Sequence, residues 1–169
     1  MGIFKTRKKD VAATYDSYAD TLYRLALSHL QNPDDAQDAV QDVFIKYTCS
    51  APDFFDKEYE QAWLIRVTVN HCLDLLRRRK LRTHQSLDDL NDVADDCAEP
   101  NPAAGELMEK LAAIPETNRA AMILHYLMDY PVEKTAKTLG LSVSATKMRL
   151  SRGREALKKM IGEEENHVQ

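Results

Sequence analysis

No apolar run in this chain approaches the ~20 residues that a membrane helix needs, and the basic start MGIFKTRKK leads into none, so neither a spanning segment nor a secretory signal is expected. Gly2 and Thr6 satisfy a formal myristoylation pattern that nothing else in the chain supports. Glycine is scarce, five in 169 residues, and none builds a phosphate-cradling loop. The three cysteines, Cys49, Cys72 and Cys97, are odd in number and lack CxxC spacing. That argues against a disulfide frame or a zinc site and suits a reducing, cytoplasmic setting. Five histidines are scattered without metal-ligand spacing, and Asp34, Asp35 and Asp38 fall at a helix start, where acids are favoured anyway. No nucleophile motif, no strand-period segment and no internal repeat occurs. The expectation is an all-α protein that is not an enzyme, with no metal, cofactor or small-molecule substrate.

What the chain does contain is concentrated in PVEKTAKTLGLSVSATKMRLSRGREALKK, residues 131–159. Val132 to Leu139 has helical spacing, Gly140-Leu141 marks a turn, and Ser142 is placed to cap a second, longer helix. Ala136, four residues before Gly140, has the small side chain that lets two helices cross closely, as a helix-turn-helix requires. At 100° per residue, Val143, Thr146, Leu150 and Leu157 fall on the face turned to the first helix. Ser144, Lys147, Met148, Ser151 and Arg152 share another, polar and basic, of a size that a major groove admits. Between Lys134 and Lys159 eight basic side chains stand against the single acid Glu155. The net charge of the whole chain is −4, so distribution matters more than sum.

The remaining segments read in order. Val11 to Leu30 places Tyr15, Tyr18, Leu22, Leu25 and Leu30 on one broad face. Asn32-Pro33-Asp34 ends that helix and starts another, which buries Ala36, Ala39, Val40, Val43 and Tyr47. Its other side presents Asp35, Asp38, Gln41, Asp42 and Ile45, either a solvated face or a docking surface for a basic partner. Phe54 and Phe55 lie in a segment without helical pattern and serve either as local core or as a wall for an unpaired base. Glu58 to Lys80 is a long helix with Ala62, Ile65, Val69, Cys72, Leu73 and Leu76 inward. Its outer stripe, Tyr59, Trp63, Arg66, Asn70, Asp74 and Arg77, has the aromatic, amide and guanidinium groups that stack on bases and bond to their edges. The alternative for Trp63 is that it folds back onto a neighbouring helix. RRRKLR, from Arg77 through Arg78 to Arg82, suits phosphates. The acidic, proline-bearing stretch after it, residues 83–103, reads as a flexible linker. Beyond it come a helix ended by Pro115 and another, Glu116 to Met128, with Ala120, Ile123, Leu124 and Leu127 inward. The result is two small helical domains, residues 1–82 and 104–169, joined by an acidic linker.

Three blocks carry a resemblance: NPDDAQDAVQDVFIKY (Asn32–Tyr47), AWLIRVTVNHCLDLLRRRK (Ala62–Lys80) and the segment from Leu111 to Lys159. In this order and spacing they resemble the bacterial RNA polymerase sigma factors of the extracytoplasmic-function type. The resemblance implies that the acidic helix docks on core RNA polymerase through Asp35, Asp38, Gln41, Asp42 and Ile45. It implies that Tyr59, Trp63, Arg66, Asn70, Asp74, Arg77 and Arg78 read and melt the minus-ten element of promoter DNA. It assigns Ser144, Lys147, Met148, Ser151 and Arg152 to the minus-thirty-five duplex, with Arg149 and Arg154 on phosphate. An anti-sigma factor is an implied partner, and a stress or envelope regulon an implied target. Thr135 and Thr146 depart from the family pattern, which more often has aliphatic residues there. Each hydroxyl then needs a partner, such as a carbonyl one turn back. The competing function is a stand-alone helix-turn-helix regulator, which binds duplex DNA but has no need of the Trp63/Asn70/Arg77 stripe.

Overall fold

In the computed structural model, described for residues 10–85 and 110–166, every regular element is helical. Three helices make the first half: α1 (Val11–Leu30), α2 (Pro33–Ser50) and α3 (Lys57–Gln85). The joint between α1 and α2 is short because its chemistry is local. Gln31 turns left-handed at φ 57° and returns its N–H to Leu27. The Asn32 side chain then accepts from the Asp34 and Asp35 amides at 2.9 and 3.1 Å, and Pro33 needs no partner at the first helical position. All five α2 residues expected inward are buried, together with Leu22, Leu25 and Leu30 of α1 and Ile65, Val69 and Cys72 of α3. Each fully buried leucine or isoleucine in such a core contributes about 1.5–3 kcal/mol. Burial pushes the Cys72 thiol up to about 12, so it stays protonated and packs as a small hydrophobe. Tyr15 differs from expectation. It is 46% exposed, although its ring still lies 4.8 Å from that of Phe44.

A polar cluster ties the three helices together. Glu60, nearly buried, accepts from the hydroxyls of Thr14 (3.3 Å) and Tyr47. A carboxylate removed from water needs such donors.

The second half consists of α4 (Glu116–Met122), which runs into a π turn (Ile123–Leu127), then α5 (Val132–Leu139) and α6 (Val143–Asn166). The π turn corrects the sequence reading. A regular helix to Met128 would turn Leu127 inward with Ile123 and Leu124. Met128 instead donates to the Ile123 carbonyl, five residues back, and the wider turn carries Leu127 to 56% exposure. The helix-turn-helix forms as read. Gly140 takes φ 68° and Leu141 donates to the Ala136 carbonyl at 2.9 Å. Ser142 Oγ accepts from Ala145 at 3.0 Å. Thr135 and Thr146 are fully buried and answer their hydroxyls one turn back, on Pro131 (3.0 Å) and Ser142 (2.9 Å). Val143, expected inward, is 38% exposed, because as the first residue of α6 it has no preceding turn of its own helix to cover it. A Cβ on Gly153 would lie 2.6 Å from Met122 Cγ, so α4 and α6 approach too closely there for a side chain.

The halves also touch: α3 packs on α5, and α1 on α4. Helix α3 continues three residues past the expected domain boundary, through Thr83, His84 and Gln85. The rest of the acidic stretch lies outside the described residues.

Candidate nucleic-acid interface and docking face

The most open of the three candidate surfaces is on α6. Ser144, Lys147, Met148, Ser151 and Arg152 are all exposed, opposite the buried Thr146 and Leu150. Among the described residues, Lys147 and Arg152 hold no side-chain hydrogen bond or ion pair, so both cations are available to a polyanion. Arg149 and Arg154 are placed differently. Arg149 is half-buried and donates to the Thr117 carbonyl at 2.7 Å, and Arg154 donates to the Tyr126 hydroxyl at 3.0 Å.

The outer stripe of α3 is a mixed surface. Asn70, Arg77 and Arg78 are exposed, and Asp74 sits 2.9 Å from Arg77 as an i,i+3 pair. Trp63 is half-buried, its ring 6.1 Å from Tyr47 and 5.9 Å from Phe54. It thus satisfies both readings, folded back on its neighbours along one edge and facing outward along the other. Beside it opens a cavity of about 320 Å³ walled by Pro52, Phe54, Phe55, Tyr59, Trp63 and Arg66. Phe54 belongs to the local core and stacks on Tyr47, whereas Phe55 is 82% exposed at the rim. Pro52 and Asp53, also lining it, had no signal in the sequence, since their loop has no period to read. Tyr59 lies under the Lys137 ammonium (4.8 Å to the ring centre), and Arg66 donates to the Lys137 and Thr138 carbonyls at 3.0 and 3.1 Å. The sequence held no hint of these contacts with α5.

The acidic face of α2 is exposed at Asp38, Gln41, Asp42 and Ile45, the last at 60%. Two of its acids are braced from behind by α3. Asp35 pairs with Arg79, and Asp42 lies 3.1 Å from His71 Nε2. The latter lacks the alignment of a hydrogen bond and is an ion pair only when the imidazole is protonated. Burial and the Lys46 ammonium, 3.2 Å from Nδ1, lower the His71 pKa, while Asp42 pulls it up. Lys80 at the end of the basic run is likewise engaged, 3.0 Å from Glu116. Among the described residues no group of three or more His, Cys, Asp or Glu side chains is arranged to hold a metal ion, and no helix is long and apolar enough to cross a membrane.

With this geometry in place, comparison with known proteins is informative. Residues 14–82 match the family model for Sigma-70 region 2, and residues 104–157 match that for Sigma-70 region 4. The chain is 33% identical over 141 residues to the ECF RNA polymerase sigma factor SigM of Mycobacterium tuberculosis, an alignment covering 83% of this chain and 71% of that one. It is 25% identical over 160 residues to SigW of Bacillus subtilis, covering 86% of each. Its fold is similar to that of the sigma factor RpoE of Bartonella quintana, solved in complex with the anti-sigma factor NepR. That match has a TM-score of 0.70 at 23% identity and spans 92% of this chain and 98% of that one. A three-helix bundle followed by a helix-turn-helix, matched in sequence order by both sigma-70 regions and by a relative of one-third identity, means that this chain belongs to the ECF RNA polymerase sigma factors, the subunits through which core RNA polymerase starts transcription at chosen promoters.

Proposed function

We propose that the chain divides promoter recognition between its halves, with residues 1–82 serving polymerase docking and the minus-ten element and residues 104–169 the minus-thirty-five element. Residues 83–103 tether them. The exposed acidic face of α2, Asp35, Asp38, Gln41, Asp42 and Ile45, docks on a basic surface of core polymerase. Charge on both sides speeds encounter, and Ile45 adds apolar contact. Ser144, Lys147, Met148, Ser151 and Arg152 lie in the upstream major groove, while Arg149 and Arg154 brace α6 from within and reach only phosphate.

The observation that carries the reading is the aromatic-walled cavity beside Trp63, with exposed Asn70 two turns further along the same stripe. A protein that binds only duplex has no use for it. A melted strand does, because an unstacked base costs a few kcal/mol unless an aromatic pocket accepts it. Tyr59, Trp63, Arg66 and Asn70 face that strand, and Arg77 and Arg78 its phosphates. Asp74 holds Arg77 in place. The protein contributes binding and positioning alone, with no catalysis of its own, and acts in the cytoplasm. Following the Bartonella neighbour, an anti-sigma factor is proposed as its keeper, and a stress or envelope regulon as its target.

The test is permanganate footprinting of reconstituted holoenzyme. Asn70→Ala and Trp63→Ala should keep polymerase binding and lose reactive thymines in the melted region. Asp38→Lys should lose the polymerase itself. Normal melting by both α3 variants would remove the single-strand assignment.

A further inference from the structure

The docking face of α2 carries three acids, and each stands in a different relation to the helix behind it. Asp38 is exposed and, among the described residues, has no hydrogen bond or ion pair. Asp35 is half-buried and accepts from the Arg79 guanidinium, so its charge is answered within the protein. Asp42 lies between these extremes. It is exposed, but its Oδ2 is 3.1 Å from Nε2 of His71, a side chain only 13% exposed. Whether its charge is answered turns on one proton.

Lys46 decides where that proton sits. An ammonium can only donate, so its 3.2 Å contact makes Nδ1 the acceptor and leaves the single N–H of the neutral ring on Nε2. That N–H lies close to Asp42 but out of hydrogen-bond alignment, and the carboxylate keeps its full charge. A second proton has to enter at Nδ1, against the ammonium. The charged groups facing the ring are Lys46 and Asp42 of α2 and Arg78 of its own helix. Burial first, then Lys46 and Arg78, disfavour the imidazolium; Asp42 favours it, and the balance falls below the ordinary histidine value. The ring is therefore neutral at pH 7.5. In acid it becomes a cation beside the carboxylate, and Asp42 then has a partner inside the protein, as Asp35 already has. A basic group docking on Asp42 takes away the one contact that favours the imidazolium, so proton and partner oppose each other equally.

We propose that His71 is a positioning residue of the docking face: neutral and tethered by Lys46, it leaves the Asp42 charge whole for polymerase, and protonated, it takes that carboxylate for itself. The inference rests on the reading of α2 as the docking face.

The test is the affinity of the full chain for core polymerase between pH 7.5 and 5.5, with circular dichroism at each pH to follow folding. Titration of the polymerase itself is common to every variant, so the profiles are compared with one another. At pH 7.5 Asp42→Asn should bind about fivefold more weakly, the worth of one exposed ion pair. His71→Gln keeps an N–H and takes up no proton, and should match wild type there. On acidification wild type should lose about threefold more affinity than His71→Gln, as the same pair is withdrawn in part. Lys46→Gln removes the ammonium and should suffer this loss at a higher pH than wild type; it decides the outcome if His71→Gln fails to fold. Parallel profiles for wild type and His71→Gln, or a Lys46→Gln profile that stays in place, would overturn the role of His71 and leave the docking face standing. Asp42→Asn binding as wild type while Asp38→Lys fails would do the same. If both bind as wild type at pH 7.5, the docking reading itself falls, and the role of His71 with it.

Discussion

Helix α6 holds the residues proposed to read duplex DNA clear of the protein, whereas α3 shares its outer stripe with loops and with α5. The difference follows from what lies behind each. Only one face of α6 is buried, against α4 and α5, so the opposite side remains a continuous polar surface. Helix α3 sits between α1 and α2 on one side and α5 on another, and its aromatic residues complete a cluster with Tyr47 and Phe54. Duplex DNA offers a groove that accepts a protruding helix. An unpaired strand needs walls, which one helix does not supply.

The comparison is broken most forcefully at the base of α6. Gly153→Leu pushes a side chain into the space held by Met122. Overpacking of this kind should cost about 3 kcal/mol, abolishing upstream duplex recognition while the first half keeps its helical signal in a denaturation profile. A sharper test is Arg152→Ala. If the guanidinium meets a guanine edge, upstream affinity should fall by about 2 kcal/mol and base preference at one position should relax. Lys147→Ala should weaken all sequences alike and reduce the salt dependence.

A smaller effect is expected in the first half from His29 of α1, which is 2% exposed, with neither ring nitrogen hydrogen-bonded. Burial first, and Arg119 second, lower its pKa to about 3. The folded ring is neutral, so its contribution is fully present above pH 6.5, where the unfolded chain also carries it neutral. Stability is lost as pH falls from there toward 3, at roughly 1.4 kcal/mol per unit. Thermal melts between pH 7.5 and 5 should show the slope, and His29→Leu should flatten it. Least affected should be Arg149→Ala, because that guanidinium is already committed to Thr117. Its phosphate contact is then a weak one: duplex affinity should change by less than about 1 kcal/mol on every sequence, and a sequence-dependent loss would mean that Arg149 leaves its carbonyl for a base edge.

Legibility differed in the same way between the regions. In the helix-turn-helix each element is fixed by neighbours a few residues away: Ser142 caps Ala145, Gly140 turns beside Ala136, and Thr135 and Thr146 bond within one turn. Such features can be read along the chain. The π turn could not, because nothing in Ile123–Leu127 distinguishes a wide turn from a regular one before packing selects it. Nor could the wall of the cavity beside Trp63, assembled from an aperiodic loop and a helix that meet only in the fold.

The sequence by itself determined where the helices begin, which face of α6 stays wet, and the order of blocks that marks the sigma family, because caps, turns and periodicity act over a few residues. Tertiary structure alone decided which cations are spoken for. Arg66, Arg79, Arg119 and Arg149 look alike along the chain, yet each finds an acceptor on another element. A long guanidinium side chain satisfies whatever acceptor packing brings within reach, and that acceptor is set by distances in space that spacing in sequence does not encode.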